Sequence, residues 1–155
     1  MDMLIRLHDT ALGARPATAA HVALRKPLGT EHDLVVAWVA QHFGAGWASE
    51  ARAALINRPI TLYIATQGEP AAMLGFCAYD ATARGFVGPI GVTERARGSG
   101  VGAALLWACL HDMRTMGYAY AVAGAVGAPE FFRRVAGATE IEGSTPGIYR
   151  GMLRG

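Results

Sequence analysis

Ile90-Gly-Val-Thr-Glu-Arg-Ala-Arg-Gly-Ser-Gly-Val-Gly-Ala-Ala-Leu-Leu106 is the stretch from which the rest of the chain can be placed. An apolar strand ends at Val92, a short polar loop follows, and Arg97-Gly98-Ser99-Gly100-Val101-Gly102 leads into an apolar helix. Glycines let a backbone approach a guest closely and turn several N–H groups toward it. The start of a helix adds unsatisfied N–H groups and the positive end of its dipole, so the natural guest is an anion, above all a phosphate. No Asp or Glu occurs between Arg95 and Leu110, although first turns normally favour acids, and Arg95 and Arg97 flank the loop instead. The bland alternative is that Ser99 caps the helix and the glycines relieve packing. Glycines cost helix stability, however, and need some return.

Working outward, Thr61–Ala65, Ala71–Tyr79 and Phe86–Val92 read as three strands of an antiparallel meander, with turns at 67–70 and 80–85. Pro89, flanked by Gly88 and Gly91, cannot donate to a ladder and belongs at a bulge or where pairing stops. A helix is expected from Gly100 to Met116, closed by Gly117. Tyr118–Val126 is then expected as a strand buried on both faces, and Pro129–Val135 as a short helix. Thr139–Glu142 and Ile148–Leu153 should close the chain as a hairpin, with Pro146-Gly147 in a type II turn. Toward the N-terminus, residues 3–8 and Val22–Pro27 read as short strands separated by a loop from Asp9 to Pro16. A helix N-capped by Thr30 carries Leu34, Val35, Trp38, Val39 and Phe43 at helical spacing and stops at Gly44 and Gly46. A second helix spans Ala48–Asn57.

The chain has 155 residues, 52% hydrophobic and 17% charged, which fits one domain over residues 1–155 and excludes a disordered chain. No apolar run reaches the length of a membrane-spanning helix, and Asp2, Arg6 and Asp9 break any signal-peptide core. A soluble cytoplasmic protein is expected, without membrane or nucleic-acid partners, since a net charge of +2 is too small to argue for the latter. Lys26 is the only lysine. Cys77 and Cys109 sit in apolar segments and read as buried, reduced thiols. His8, His21, His32, His42 and His111 show no metal-ligand spacing, so no metal is expected.

At its glycine loop the chain resembles the GNAT superfamily of N-acetyltransferases, whose phosphate loop reads Arg/Gln-x-x-Gly-x-Gly/Ala, matched by Arg97, Gly100 and Gly102. The order and spacing of the elements over residues 60–153 resemble the family as well. The resemblance implies an α/β (α+β) fold: a mixed, mostly antiparallel sheet with a splayed central parallel strand pair and helices on both faces. It implies acetyl-CoA between the strands at Phe86–Val92 and Tyr118–Val126, with backbone groups of Ile90, Gly91 and Val92 pairing with the pantetheine arm. The pyrophosphate would rest on N–H groups of Gly98, Ser99, Gly100, Val101, Gly102 and Ala103. The second substrate would be a primary amine. Homodimerisation, with the closing hairpin as interface, is a further implication.

Acetyl transfer needs deprotonation of the ammonium, stabilisation of an oxyanion and protonation of the departing thiolate. The resemblance places the thiolate's acid, a Tyr, at the position of Phe132, which cannot donate, and a base on Phe86–Val92, which holds no ionisable residue. Tyr120 and Tyr149 remain as acids and Glu50 as a base acting through water, while Trp38, Phe43 and Trp47 are candidates for an acceptor pocket. The small residues Gly88, Gly91, Gly124 and Ala125 leave open a longer acyl group. Two other readings compete. Gly98-Ser-Gly100-Val-Gly-Ala103 also fits a dinucleotide fingerprint, but no carboxylate follows at the required distance. A catalytically weak or inactive acetyl-CoA-binding module would explain Phe132.

Overall fold

The computed structural model describes residues 1–8 and 12–155, so the expected loop from Asp9 begins outside the described residues. Seven strands build one sheet: β1 (Met3–Arg6), β2 (Ala23–Arg25), β3 (Leu62–Gln67), β4 (Ala72–Tyr79), β5 (Phe86–Val92), β6 (Tyr120–Ala123) and β7 (Thr139–Glu140). Their order is β2-β3-β4-β5-β6-β1-β7, and β5–β6 is the parallel pair among antiparallel neighbours. The helices are α1 (His32–Phe43), α2 (Ala45–Ile56), α3 (Val101–Thr115) and α4 (Pro129–Ala136).

Strand alternation divides the core between the two sheet faces. Leu62 and Ile64 of β3 pack with Val35, Val39 and Leu55 of α1 and α2. Ala65, one residue out of phase with them, joins Leu105, Leu106 and Cys109 of α3. The mixed sheet with helices on both faces is therefore the architecture that the pattern of the chain calls for.

Several local expectations are corrected. Thr30 does not cap α1: a 3-10 turn at Gly29–Glu31 precedes the helix, and Glu31 accepts from the Leu28 N–H while forking onto Arg25, each bond 2.7 Å long. Leu34 is 70% exposed, because the buried stripe of α1 runs through Val35 and Val39. Gly44, at φ 97°, makes the break between the first two helices, and Gly46 lies inside α2. Strand β6 is only four residues long, and Tyr120 is 49% exposed rather than buried on both faces.

The closing hairpin does not form. Only Thr139–Glu140 pairs, with β1, and residues 147–149 form a 3-10 turn in place of a second strand. Pro146 (φ −80°, ψ −2°) lacks the extended ψ of a type II turn. The place beside β6 is taken by β1, registered Met3↔Ala123 to Arg6↔Tyr120. Met3 and Ile5 are completely buried there, whereas Ile148 and Leu153 are 55% and 96% exposed. Gly147 and Gly151 interrupt the C-terminal stretch with left-handed backbone, so it makes a poor strand. The surface expected to carry a homodimer therefore has another form.

Candidate active site

The site lies where β5 and β6 part. Their ladder has the two register pairs Phe86↔Val122 and Val87↔Ala123, after which β6 stops while β5 runs on to Val92. The near end is clamped. Val122 N–H donates to Gly85 O at 2.9 Å, and Asp80 accepts from the Tyr118 hydroxyl (2.6 Å) and the Gly85 N–H (2.7 Å). Pro89 sits in a register shift opposite β4, as its missing N–H requires: Tyr79 pairs with Val87 but Cys77 with Ile90.

At the far end the chain leaving β6 is drawn away from β5. Asp2, only 6% exposed, accepts from the Ala125 N–H at 2.9 Å, and Val126 N–H donates to Met1 O at the same distance. Ala125 adopts φ 46°, a left-handed conformation unusual for a residue with a Cβ. Asp2 also ties in the C-terminal segment: its N–H donates to Ser144 Oγ (2.8 Å) and its C=O accepts from the Ile141 N–H (2.9 Å). Asp2, which holds the far wall of the cavity in place, is a residue that sequence reasoning missed. An acid beside an apolar strand carries no local signal of a partner more than a hundred residues away.

Between the parted strands opens a cavity of about 920 Å³. Its walls include Pro89, Ile90 and Val92 of β5, Gly124 to Ala128 after β6, and Phe131 and Phe132 of α4, with Trp47 and Glu50 of α2 and Tyr149 opposite. Glu50 accepts from the Thr82 hydroxyl at 2.5 Å. The Tyr149 hydroxyl fills the space that a Cβ on Gly124 would take, and burial, reinforced by the charges of Asp2 and Glu50, holds that phenol above its ordinary range. Tyr120 is not brought to the cavity. It is half-exposed and stands edge-on to His8 at 5.3 Å.

The expected cofactor residues divide. Ile90 and Val92 face the cavity, whereas Gly91 lies beneath the ring of Phe43, where a Cβ would come within 2.6 Å. Gly98 (φ 78°) and Gly100 (φ 82°) take left-handed conformations, with Gly100 at the N-cap of α3. Ser99 does not cap the helix; its hydroxyl donates to Ala96 O. Arg97, Gly98, Ser99, Gly100, Val101, Gly102 and Ala103 lie outside the cavity wall. Val92 and Phe131 link the two, since both line the cavity and lie within 3.7 Å of a Cβ placed on Gly102. Two residues of the wall thus pack directly beside the first turn of α3. Trp38 packs on His42, Phe43 and Phe76, and only Trp47 of the three expected aromatics lines the cavity.

Residues 27–137, covering the first two helices, the meander, the glycine loop and the parted strands, match the model of the acetyltransferase (GNAT) family. The chain belongs to this family. Solved structures share the GNAT fold at low identity. A GCN5-related N-acetyltransferase from Sphaerobacter thermophilus is 22% identical with a TM-score of 0.71, over 89% of this chain and 47% of that one. The GCN5-related glucosamine N-acetyltransferase region of a fungal multi-domain GH3 β-N-acetylglucosaminidase is 14% identical with a TM-score of 0.65, over 87% of this chain and 19% of that one. The chain therefore spans less than half the length of either. No curated protein matches it. Among the described residues no helix is long and apolar enough to cross a membrane, and no group of three His, Cys, Asp or Glu side chains is placed to hold a metal ion.

Proposed function

We propose that this GNAT-family chain, as a single domain, transfers an acetyl group from acetyl-CoA to a primary amine by direct attack in a ternary complex. The observation that carries this reading is the cavity opened by the parting of β5 and β6, two of whose wall residues, Val92 and Phe131, pack beside Gly102 next to the left-handed glycine loop before α3. Acetyl-CoA would supply the thioester. Its pantetheine arm fits along Ile90 and Val92, and its pyrophosphate fits the N–H groups from Gly98 to Ala103, where an anion meets the helix dipole.

Glu50, half-buried and steadied by Thr82, accepts the ammonium proton through water. The free amine then forms its C–N bond to the acyl carbon, and the oxyanion is held by a backbone N–H near Gly91 or Val92. As the C–S bond breaks, the Tyr149 hydroxyl protonates the thiolate, and the phenolate takes up the second proton that the nitrogen loses as the amide forms; the task suits a phenol held neutral through the physiological range. Tyr149 therefore assumes from the C-terminal segment the role that Phe132 cannot fill. Cys77 and Cys109 are completely buried, and burial pushes the Cys109 thiol well above its usual range, which supports direct attack over a covalent carrier. Such thiols suit a reducing compartment, and we place the activity in the cytoplasm.

Calorimetric titration with acetyl-CoA, with NADH as control, tests the reading. Micromolar binding of acetyl-CoA alone is expected, and no binding overturns it. The second reading, an acetyl-CoA-binding module with little or no catalysis, is favoured by Phe132 in the cavity wall. Binding without turnover of any amine would select it.

A further inference from the structure

The cavity wall holds two carboxylates, Asp2 and Glu50, and, among the described residues, no lysine, arginine or histidine side chain. The surroundings are apolar: Trp47, Pro89, Ile90, Val126, Phe131 and Met152 all contribute to the wall. Trp47 and Glu50 stand three residues apart on α2, so indole and carboxylate present one face. The indole is held in place by Phe43 and Phe76, at ring separations of 5.1 and 6.1 Å. Asp2 is committed to Ala125 N–H, which leaves its charge in the wall, and both carboxylates act on the same phenol, Tyr149. An anionic ligand group here would meet the like charges of Asp2 and Glu50 beside apolar walls, with no lysine, arginine or histidine of the described lining to offset them.

We infer that the acceptor is an amine carried on an apolar, uncharged body, with its ammonium at Glu50 and its body against Trp47 and Met152, and that amines bearing a carboxylate or phosphate are excluded. This deepens the acetyl-transfer reading and rests on it for the identity of the cavity as an acceptor site. A matched pair of probes tests it: hexylamine and 6-aminohexanoate, which share a chain length and an amine and differ in the distal group. Each is titrated calorimetrically into the full chain, with and without CoA.

Hexylamine is expected to bind at least about 30-fold more tightly than 6-aminohexanoate. Glu50→Gln is expected to weaken hexylamine about tenfold and to narrow the gap. Thr82→Val, which frees the same carboxylate without removing it, should weaken hexylamine by a smaller factor. Equal affinities for the two probes, or binding of neither under both conditions, would overturn the inference. Failure of the acetyl-transfer reading looks different: acetyl-CoA produces no heat while the preference between the two probes persists.

Discussion

The hydroxyl of Tyr149 occupies the space that a side chain on Gly124 would need, and the ring of Phe86 crowds the same space, at 2.8 Å from a Cβ placed there. The glycine after β6 therefore seats the proposed acid. Gly124→Ala should displace the phenol, lower kcat by at least about tenfold and cost about 1–3 kcal/mol of stability. Steady-state kinetics together with urea unfolding check both parts. Unchanged kcat in a folded variant would remove Tyr149 from the mechanism. The same contact, with Phe43 over Gly91, means that two of the four small residues expected to admit a longer acyl group are already packed against aromatic rings.

Tyr149→Phe should lower kcat with little change in the affinity for acetyl-CoA, since the phenol acts on the leaving thiolate and not on the phosphates. Phe132→Tyr, in a position 7% exposed in the cavity wall, should restore part of that loss in the double variant. Kinetics of the two single variants and the double variant test this. Full activity in Tyr149→Phe would exclude side-chain acid catalysis there.

The three loop glycines should separate by experiment. A Cβ on Gly100 would run into Ala17 O, whose segment is fastened across the loop by Ala19 N–H donating to Ser99 O at 3.1 Å. Gly100→Ala therefore combines a steric clash with left-handed strain and should cost about 1–3 kcal/mol. Gly98→Ala meets open space and carries the strain alone, about 1–2 kcal/mol. Gly102→Ala lies in the helix at ordinary contact distances and should gain about 0.5–1 kcal/mol. Thermal unfolding ranks the three. Equal melting temperatures would contradict the packing of residues 17–19.

Asp2→Ala should leave the Ala125 N–H without its acceptor and cost about 1–3 kcal/mol, while Asp2→Asn, which keeps an acceptor oxygen, should cost less. Urea unfolding of the two variants tests the difference. Equal losses would mean that charge, not the hydrogen bond, carries the effect.

Stability should also depend on pH at both extremes. Glu31 lies at about 2, against 4.5 ordinarily, because Arg25 and then the Leu28 N–H donate to its carboxylate. A carboxyl lowered in the folded state contributes stability that is complete above about pH 5 and lost as pH falls toward 2. Glu31→Gln should therefore be less stable than the parent at pH 7, by up to about 1 kcal/mol for this half-exposed pair, and equal to it near pH 2. Tyr63 and Tyr79 are raised, chiefly by burial, with Asp112 adding to the effect. Their contribution is complete below about pH 10 and falls as pH climbs above it. Urea midpoints across pH check both signs; a Glu31→Gln difference that persists at pH 2 would sink the first.

The glycine loop was legible because its signal is local: a strand, a five-residue loop rich in charge and a run of glycines follow one another in the chain. Strand β5 was legible for the same reason, bounded by Gly85 and Thr93. Leu34 misled because helical spacing admits several stripes, and only the packing on Leu62 and Ile64 selects the one through Val35 and Val39. Thr30 misled because Arg25, outside the helix, draws Glu31 into a different start. Asp2 and the true neighbour of β6 were not legible, since nothing near residue 3 announces a partner at residue 123.

That pairing has a consequence for how the molecule is made. With Met3 registered against Ala123 and Leu4 against Thr139, the strand is synthesised more than a hundred residues ahead of both its partners and waits for them. The meander from β3 to β5 can pair as it emerges, because its contacts are close in sequence. The wall of the cavity that depends on Asp2 cannot. Residues 3–7, with Met3, Ile5 and Leu7 completely buried in the finished fold, stay uncovered until then. The nascent chain passes through a stage with an apolar strand in search of an edge, the stage at which a chaperone or a mispairing neighbour competes with its own β6.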